Sequence, residues 1–101
     1  MLYDKKVHIN FSCVEDLNQI LKDVSKVSVT LPNKILKEFY SKISNLEKFP
    51  KMYQVIKIIN QIEVRKIVIE KYIVVYFISG KNIYIVNMFP QKVNYYNLIK
   101  S

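Results

Sequence analysis

The chain has one cysteine, one histidine, one glycine and one arginine, and it has no tryptophan. Each scarcity removes a class of chemistry. With Cys13 alone, no disulfide closes within the chain and no two-cysteine metal motif can be written, so a reducing compartment is expected. With Gly80 alone, a P-loop, a dinucleotide fingerprint and a Gly-x-Ser-x-Gly elbow are all excluded. His8 has no second histidine to share a zinc ion, and no paired acidic metal motif occurs. No cofactor and no metal are therefore expected. The N-terminal stretch has no long apolar core of a signal peptide. Uncharged apolar runs also stay well short of the ~18 residues a membrane span needs. The expectation is a soluble cytoplasmic protein with no membrane partner.

What is present is one domain's worth of chain. Of 101 residues, 50% are hydrophobic, enough for one real core, so a single domain over 1–101 is expected. The net charge of +8 is unevenly spread: residues 1–47 carry +1 and residues 48–101 carry +7. That excess suits a polyanion or an acidic protein partner. It equally suits a small domain that carries surplus lysine for solubility.

Period-2 alternation of Val7, Ile9 and Phe11 against Lys6, His8, Asn10 and Ser12 predicts a first strand over 5–12. Ser12 with Glu15 reads as a capping box, and Val14, Leu17, Ile20, Leu21 and Val24 follow at helical spacing, predicting a helix over 13–25. Pro32 suits a first helical turn. Ile35, Leu36, Phe39, Tyr40, Ile43 and Leu46 form one stripe, predicting a second helix over 31–48 with Glu38 and Lys42 as an i, i+4 pair. Two such helices on a short connection make an antiparallel hairpin whose stripes need a sheet to cover. The stretch "KMYQVIKIINQ" has no clear period and reads as a loop with at most a short turn or extended piece.

Val64 to Ile69, Tyr72 to Ile78 and Ile83 to Phe89 are β-branched and aromatic runs separated by Glu70-Lys71 and by Ser79-Gly80-Lys81-Asn82. They predict a three-stranded antiparallel meander. The fold class is therefore α+β: an N-terminal strand, a helical hairpin, then a meander forming a twisted sheet with the helices on one face. The middle run, "YIVVYFI", is apolar on both faces, so its second face is expected to meet a ligand, a partner or the C-terminal tail.

Candidate chemistry is sparse. His8 on the polar side of a strand reads as a hydrogen-bonded or surface residue before it reads as a catalyst. Cys13 lies near a helix N-terminus, a position that lowers a thiol pKa, but it has no histidine partner at a recognisable spacing. Arg65, Lys66, Lys71, Lys81 and Lys92 lie in or beside the meander, interleaved with Tyr72, Tyr76, Tyr84, Tyr95 and Tyr96. Cations for phosphates and rings for bases would make a single-stranded RNA surface. Residues in this pattern more often serve as core packing and edge protection.

The order of elements resembles the RelE/ParE superfamily of type II toxins. "SNLEKFPKM" is similar to the end of that superfamily's second helix and its Phe-Pro break. "VRKIVIEKYIVVYFISGKNIYIVNMF" resembles its Arg-bearing strand, aromatic-ended central strand and final strand. "FPQKVNYYNL" is similar to its Phe-x-x-Arg-x-x-Pro-x-x-Leu ending, with Phe89, Lys92 and Leu98 in register. The likeness is strongest from Ser44 to Ile99.

The resemblance implies a toxin neutralised by a cognate antitoxin, and it implies one of two activities. RelE-like members cleave mRNA in the ribosomal A site, whereas ParE-like members bind DNA gyrase and block its cycle. Ribosome-dependent cleavage, a metal-independent endoribonuclease activity, is the first expectation because the basic second half suits ribosome and mRNA. Gyrase inhibition without catalysis is the second. For the nuclease, the resemblance implies Arg65 and Lys92 for phosphate charge and Lys66 or Tyr95 for proton transfer, and the Lys and Tyr surface read from the residues adds Lys71, Lys81 and Tyr96 as RNA-binding residues. Such a site needs a base for the 2′-hydroxyl, a cation for the phosphate and a donor for the leaving oxygen. Clustering of like charges is what would lower a lysine pKa far enough. The chain departs from the nuclease pattern in three places: Ile73 stands where many RelE-like nucleases carry arginine, Lys92 replaces the usual arginine, and no histidine is present in the tail.

Overall fold

The computed structural model describes residues 5–92. Strand β1 (Lys6–Ile9) leads into helix α1 (Phe11–Ser25) and helix α2 (Leu31–Ser44), which continues as a 3-10 turn over Asn45–Glu47. Four strands follow: β2 (Val55–Ile59), β3 (Ile62–Ile69), β4 (Tyr72–Ser79) and β5 (Asn82–Pro90). They form an antiparallel meander, and β1 joins its last strand in parallel, giving the order β1-β5-β4-β3-β2. The α+β architecture with a helical hairpin on one sheet face is as expected, but the meander has four strands where three were read.

The added strand is β2, in the segment read as a loop. Its pairing with β3 slips between Val55 and Lys57, so the bulge breaks the alternation that would have revealed it. Its turn to β3 is Asn60-Gln61, with φ of 49° and 70°. That is the left-handed pair of a tight hairpin, with glutamine where glycine is the usual signal.

The first strand is also shorter than its alternation suggests. It stops at Ile9, and α1 begins at Phe11, whose side chain is exposed. The expected capping box does not form: Asn10 is the capping residue, and the Ser12 hydroxyl donates to the Val86 carbonyl at 2.7 Å. Starting the helix there turns Cys13, Leu17, Ile20 and Val24 inward. In α2, Ile35, Phe39 and Ile43 are buried, Leu46 extends the stripe through the 3-10 turn, and Glu38 pairs with Lys42 at 3.5 Å.

Both helices pack on Ile67, Ile69, Val74, Tyr76, Ile83, Ile85 and Met88, which form the main core. A second, smaller cluster of Ile56, Val64, Ile73 and Val75 lies on the opposite sheet face, with Ile59, Val86 and Phe89 against it. Strand β4 is thus apolar on both sides, as its sequence implies. No helix among the described residues is long and apolar enough to cross a membrane.

Candidate functional site

Arg65 is the only arginine and the only buried charged residue among those described, with 8% of its surface exposed. Side chains alternate along a strand, and Arg65 shares the helix-side face of β3 with Ile67 and Ile69. Its Nη1 donates to the carbonyls of Lys51 at 3.1 Å and Tyr53 at 2.6 Å, and its Nη2 meets the Glu63 carboxylate at 2.6 Å. Next to it, Tyr76 donates its hydroxyl to the Pro50 carbonyl at 2.8 Å and meets the Tyr53 ring edge-on at 6.4 Å. Burial, partly countered by the Arg65 charge and a backbone hydrogen bond, pushes the Tyr76 hydroxyl up to about 12. This pair of side chains holds the connection between the 3-10 turn and β2.

The other expected site residues lie elsewhere. Lys66 follows Arg65 and so points to the opposite sheet face, opposite Val75 of β4. Lys71 sits in the β3–β4 turn, its carbonyl accepting from the Gln91 N–H at 2.9 Å, and exposed Lys92 comes just after. Lys81 is in the β4–β5 turn at the other end of the sheet, a strand length of roughly 26 Å away. Tyr95 and Tyr96 lie outside the described residues. Of the five that are described, only Lys71 and Lys92 share one end of the sheet, and Arg65 and Lys66 are divided by the sheet itself.

The lone histidine and cysteine are structural. His8 Nε2 donates to Asn82 Oδ1 at 2.9 Å, and its ring stacks on Tyr84 with centroids 5.0 Å apart. Cys13 is fully buried, and burial followed by the nearby Asp16 charge pushes its thiol up to about 12. The helix N-terminus does not activate it. Among the described residues no group of three or more His, Cys, Asp or Glu could hold a metal ion.

One apolar surface lies beside the connection before β2. Phe49 and Met52 are 61% and 53% exposed on the connection that Arg65 and Tyr76 hold, and exposed Ile58 and Ile62 stand on the neighbouring hairpin. Beside Lys51 of that connection and against the hairpin is a depression of about 630 Å³ lined by Lys5, Lys51, Ile58, Ile62, Glu63 and Gly80, among others. Its trace in the sequence is "KFPKM", two large apolar residues between lysines next to a helix-ending proline, a pattern that a helix terminus also produces.

A strand, a helical hairpin and a meander make a small α+β fold, the class that the RelE/ParE resemblance implies. Within that class, the family model for the ParE toxin of the type II toxin-antitoxin system parDE matches residues 12–95, and the chain belongs to this family. Seven chains of known structure match it. One, from a chromosomal ParDE toxin-antitoxin system of P. aeruginosa, superposes with a TM-score of 0.69 at 14% identity, covering 87% of this chain and 97% of that one. At that identity the likeness is one of fold. No curated protein sequence matches.

Proposed function

We propose that this chain is the toxin of a type II toxin–antitoxin pair that arrests growth by binding DNA gyrase and catalyses no reaction on RNA. The observation that carries this reading is the position of Arg65. A cation that serves a scissile phosphate must reach it, and this guanidinium is turned inward and occupied by two carbonyls and a carboxylate. The division of Arg65 from Lys66 by the sheet supports the same reading, as does an apolar, buried Ile73 where many RelE-like nucleases carry arginine. Membership of the ParE family supports it from the side of sequence. The partners are then gyrase and a cognate antitoxin, and the basic charge of residues 48–101 favours an acidic antitoxin.

Purified toxin should inhibit gyrase supercoiling and leave mRNA on translating ribosomes uncut. The antitoxin encoded beside it should relieve the inhibition. Lys92→Ala should arrest growth as the parent does. Ribosome-dependent cuts, lost in Lys92→Ala, would reverse the assignment.

A further inference from the structure

Single exposed apolar residues are ordinary on folded proteins. Phe49 and Met52 differ in how firmly their backbone is held. The carbonyls of Pro50, Lys51 and Tyr53 are each taken by a buried donor, the first by Tyr76 and the others by Arg65. The segment is also tied from within, because the Phe49 N–H donates to the Asn45 carbonyl at 2.9 Å and the Met52 N–H to the Phe49 carbonyl at 3.3 Å. A segment held this way cannot tuck the two side chains inside, and it loses little freedom when a partner docks on it.

The surroundings give the chemistry of that partner. The depression beside the segment has Lys51 and Lys5 on its rim, Lys81 follows the lining residue Gly80, and Lys48 precedes Phe49 on the segment itself. The acids nearby are Glu47 and Glu63, and the Glu63 carboxylate is already paired with Arg65 at 2.6 Å. Strand β2 is the outermost strand of the sheet, so among the described residues no further strand shields this side. The other pair of strongly exposed apolar residues, Val27 and Val29 at the tip of the helical hairpin, lacks both features. Among the described residues no buried side chain holds its carbonyls, and its neighbour Lys26 lies 3.9 Å from Asp23.

We infer that Lys48–Met52 and the adjoining depression form the surface that engages gyrase, receiving an acidic segment whose apolar side chains seat on Phe49 and Met52. This rests on the gyrase reading above. Central apolar anchors inside a charged rim are where binding energy concentrates in protein interfaces, and opposite charge on the rim speeds and orients the encounter.

The test uses full-length toxin and purified gyrase, with three double variants: F49S/M52S, K48E/K51E and V27S/V29S. The first two should weaken gyrase binding and inhibition by about tenfold or more, with thermal unfolding and antitoxin binding unchanged. V27S/V29S should behave as the parent. If F49S/M52S fails to fold, K48E/K51E decides alone, since it exchanges only exposed charge. Parental binding by both loop variants would overturn the surface while leaving the gyrase reading in place. So would a loss confined to V27S/V29S, or a loop effect on antitoxin binding alone. Failure of the parent toxin to bind gyrase would remove the reading and this surface together.

Discussion

Nη1 of Arg65 lies 2.6 Å from the carbonyl oxygen of Tyr53, twelve residues back along the chain. That contact, with the one to Lys51, closes the connection before β2 onto the sheet. It turns the chain's only arginine into a clamp for a loop.

Arg65→Met should therefore act on stability before it acts on function. It leaves two carbonyls and the Glu63 carboxylate without their donor. With hydrogen bonds to charged groups at about 1.5–3 kcal/mol each and partial rescue by water, the expected loss is about 2–4 kcal/mol. Arg65→Lys should recover only part of this, because an ammonium on a flexible stem does not reproduce the planar fork. Urea unfolding gives the loss, and faster amide exchange over residues 49–54 locates it. An unchanged midpoint for Arg65→Met would show that the clamp contributes nothing.

Arg65 also marks where the sequence was legible and where it was not. Elements with clean periodicity could be read to within a few residues, including both helices and the last three strands, because burial on one face imposes the period. β2 escaped because its bulge and its Asn60-Gln61 turn remove the two local signals a strand offers. Arg65 and Lys66 were read as one cationic group, but neighbouring strand residues face opposite ways, and which face is covered is a tertiary fact. The Asp16 carboxylate accepts from the Met88 N–H at 2.9 Å and from Asn87 at 3.0 Å. Nothing in the spacing of residues 71 and 72 positions apart announces such a contact.

The hairpin turns should respond in opposite directions to glycine. Gln61 holds φ of 70°, a conformation that costs a side-chain-bearing residue about 1–2 kcal/mol. Gln61→Gly should raise stability by about 0.5–1 kcal/mol after the entropy cost of glycine. Gly80 sits at φ +60° with no atom within 4 Å of an added Cβ, so Gly80→Ala should be destabilising through backbone strain alone, by about 1 kcal/mol. For a domain of this size each change moves the melting temperature by roughly 4–8 °C per kcal/mol. A melting temperature that falls for Gln61→Gly would contradict the turn geometry.

Stability should decline in alkali. The Cys13 thiol is held up at about 12 in the folded protein, against about 8.5 for a free thiol. Below pH 8.5 both states keep the proton and nothing is lost. Above it the unfolded chain releases the proton while the folded chain retains it, so unfolding gains until pH passes 12. The Tyr76 hydroxyl adds the same trend from about pH 10. Urea midpoints from pH 8 to 11 should fall, and Cys13→Ala, though less stable at every pH, should fall less between 8.5 and 10. The native thiol should also resist a disulfide reagent at pH 8. Rapid labelling of folded protein would show that Cys13 is not enclosed.

Ile73 tests the functional reading from the side of the sheet away from the helices. It is 2% exposed, pairs with Phe89 and Val68 across the strands, and packs in the cluster of Ile56, Val64 and Val75. Ile73→Ala removes buried methyl groups and should cost about 2–5 kcal/mol. Ile73→Arg introduces the residue that the resemblance gives many RelE-like nucleases, but places a cation in an apolar cluster where desolvation opposes it. Arg65 cannot join it, since that guanidinium lies on the other face. The variant should melt lower than the parent, and where it remains folded it should still leave mRNA intact on translating ribosomes. Ribosome-dependent cleavage by Ile73→Arg would mean that one side chain separates this chain from a nuclease and that its other cations already stand ready for the chemistry.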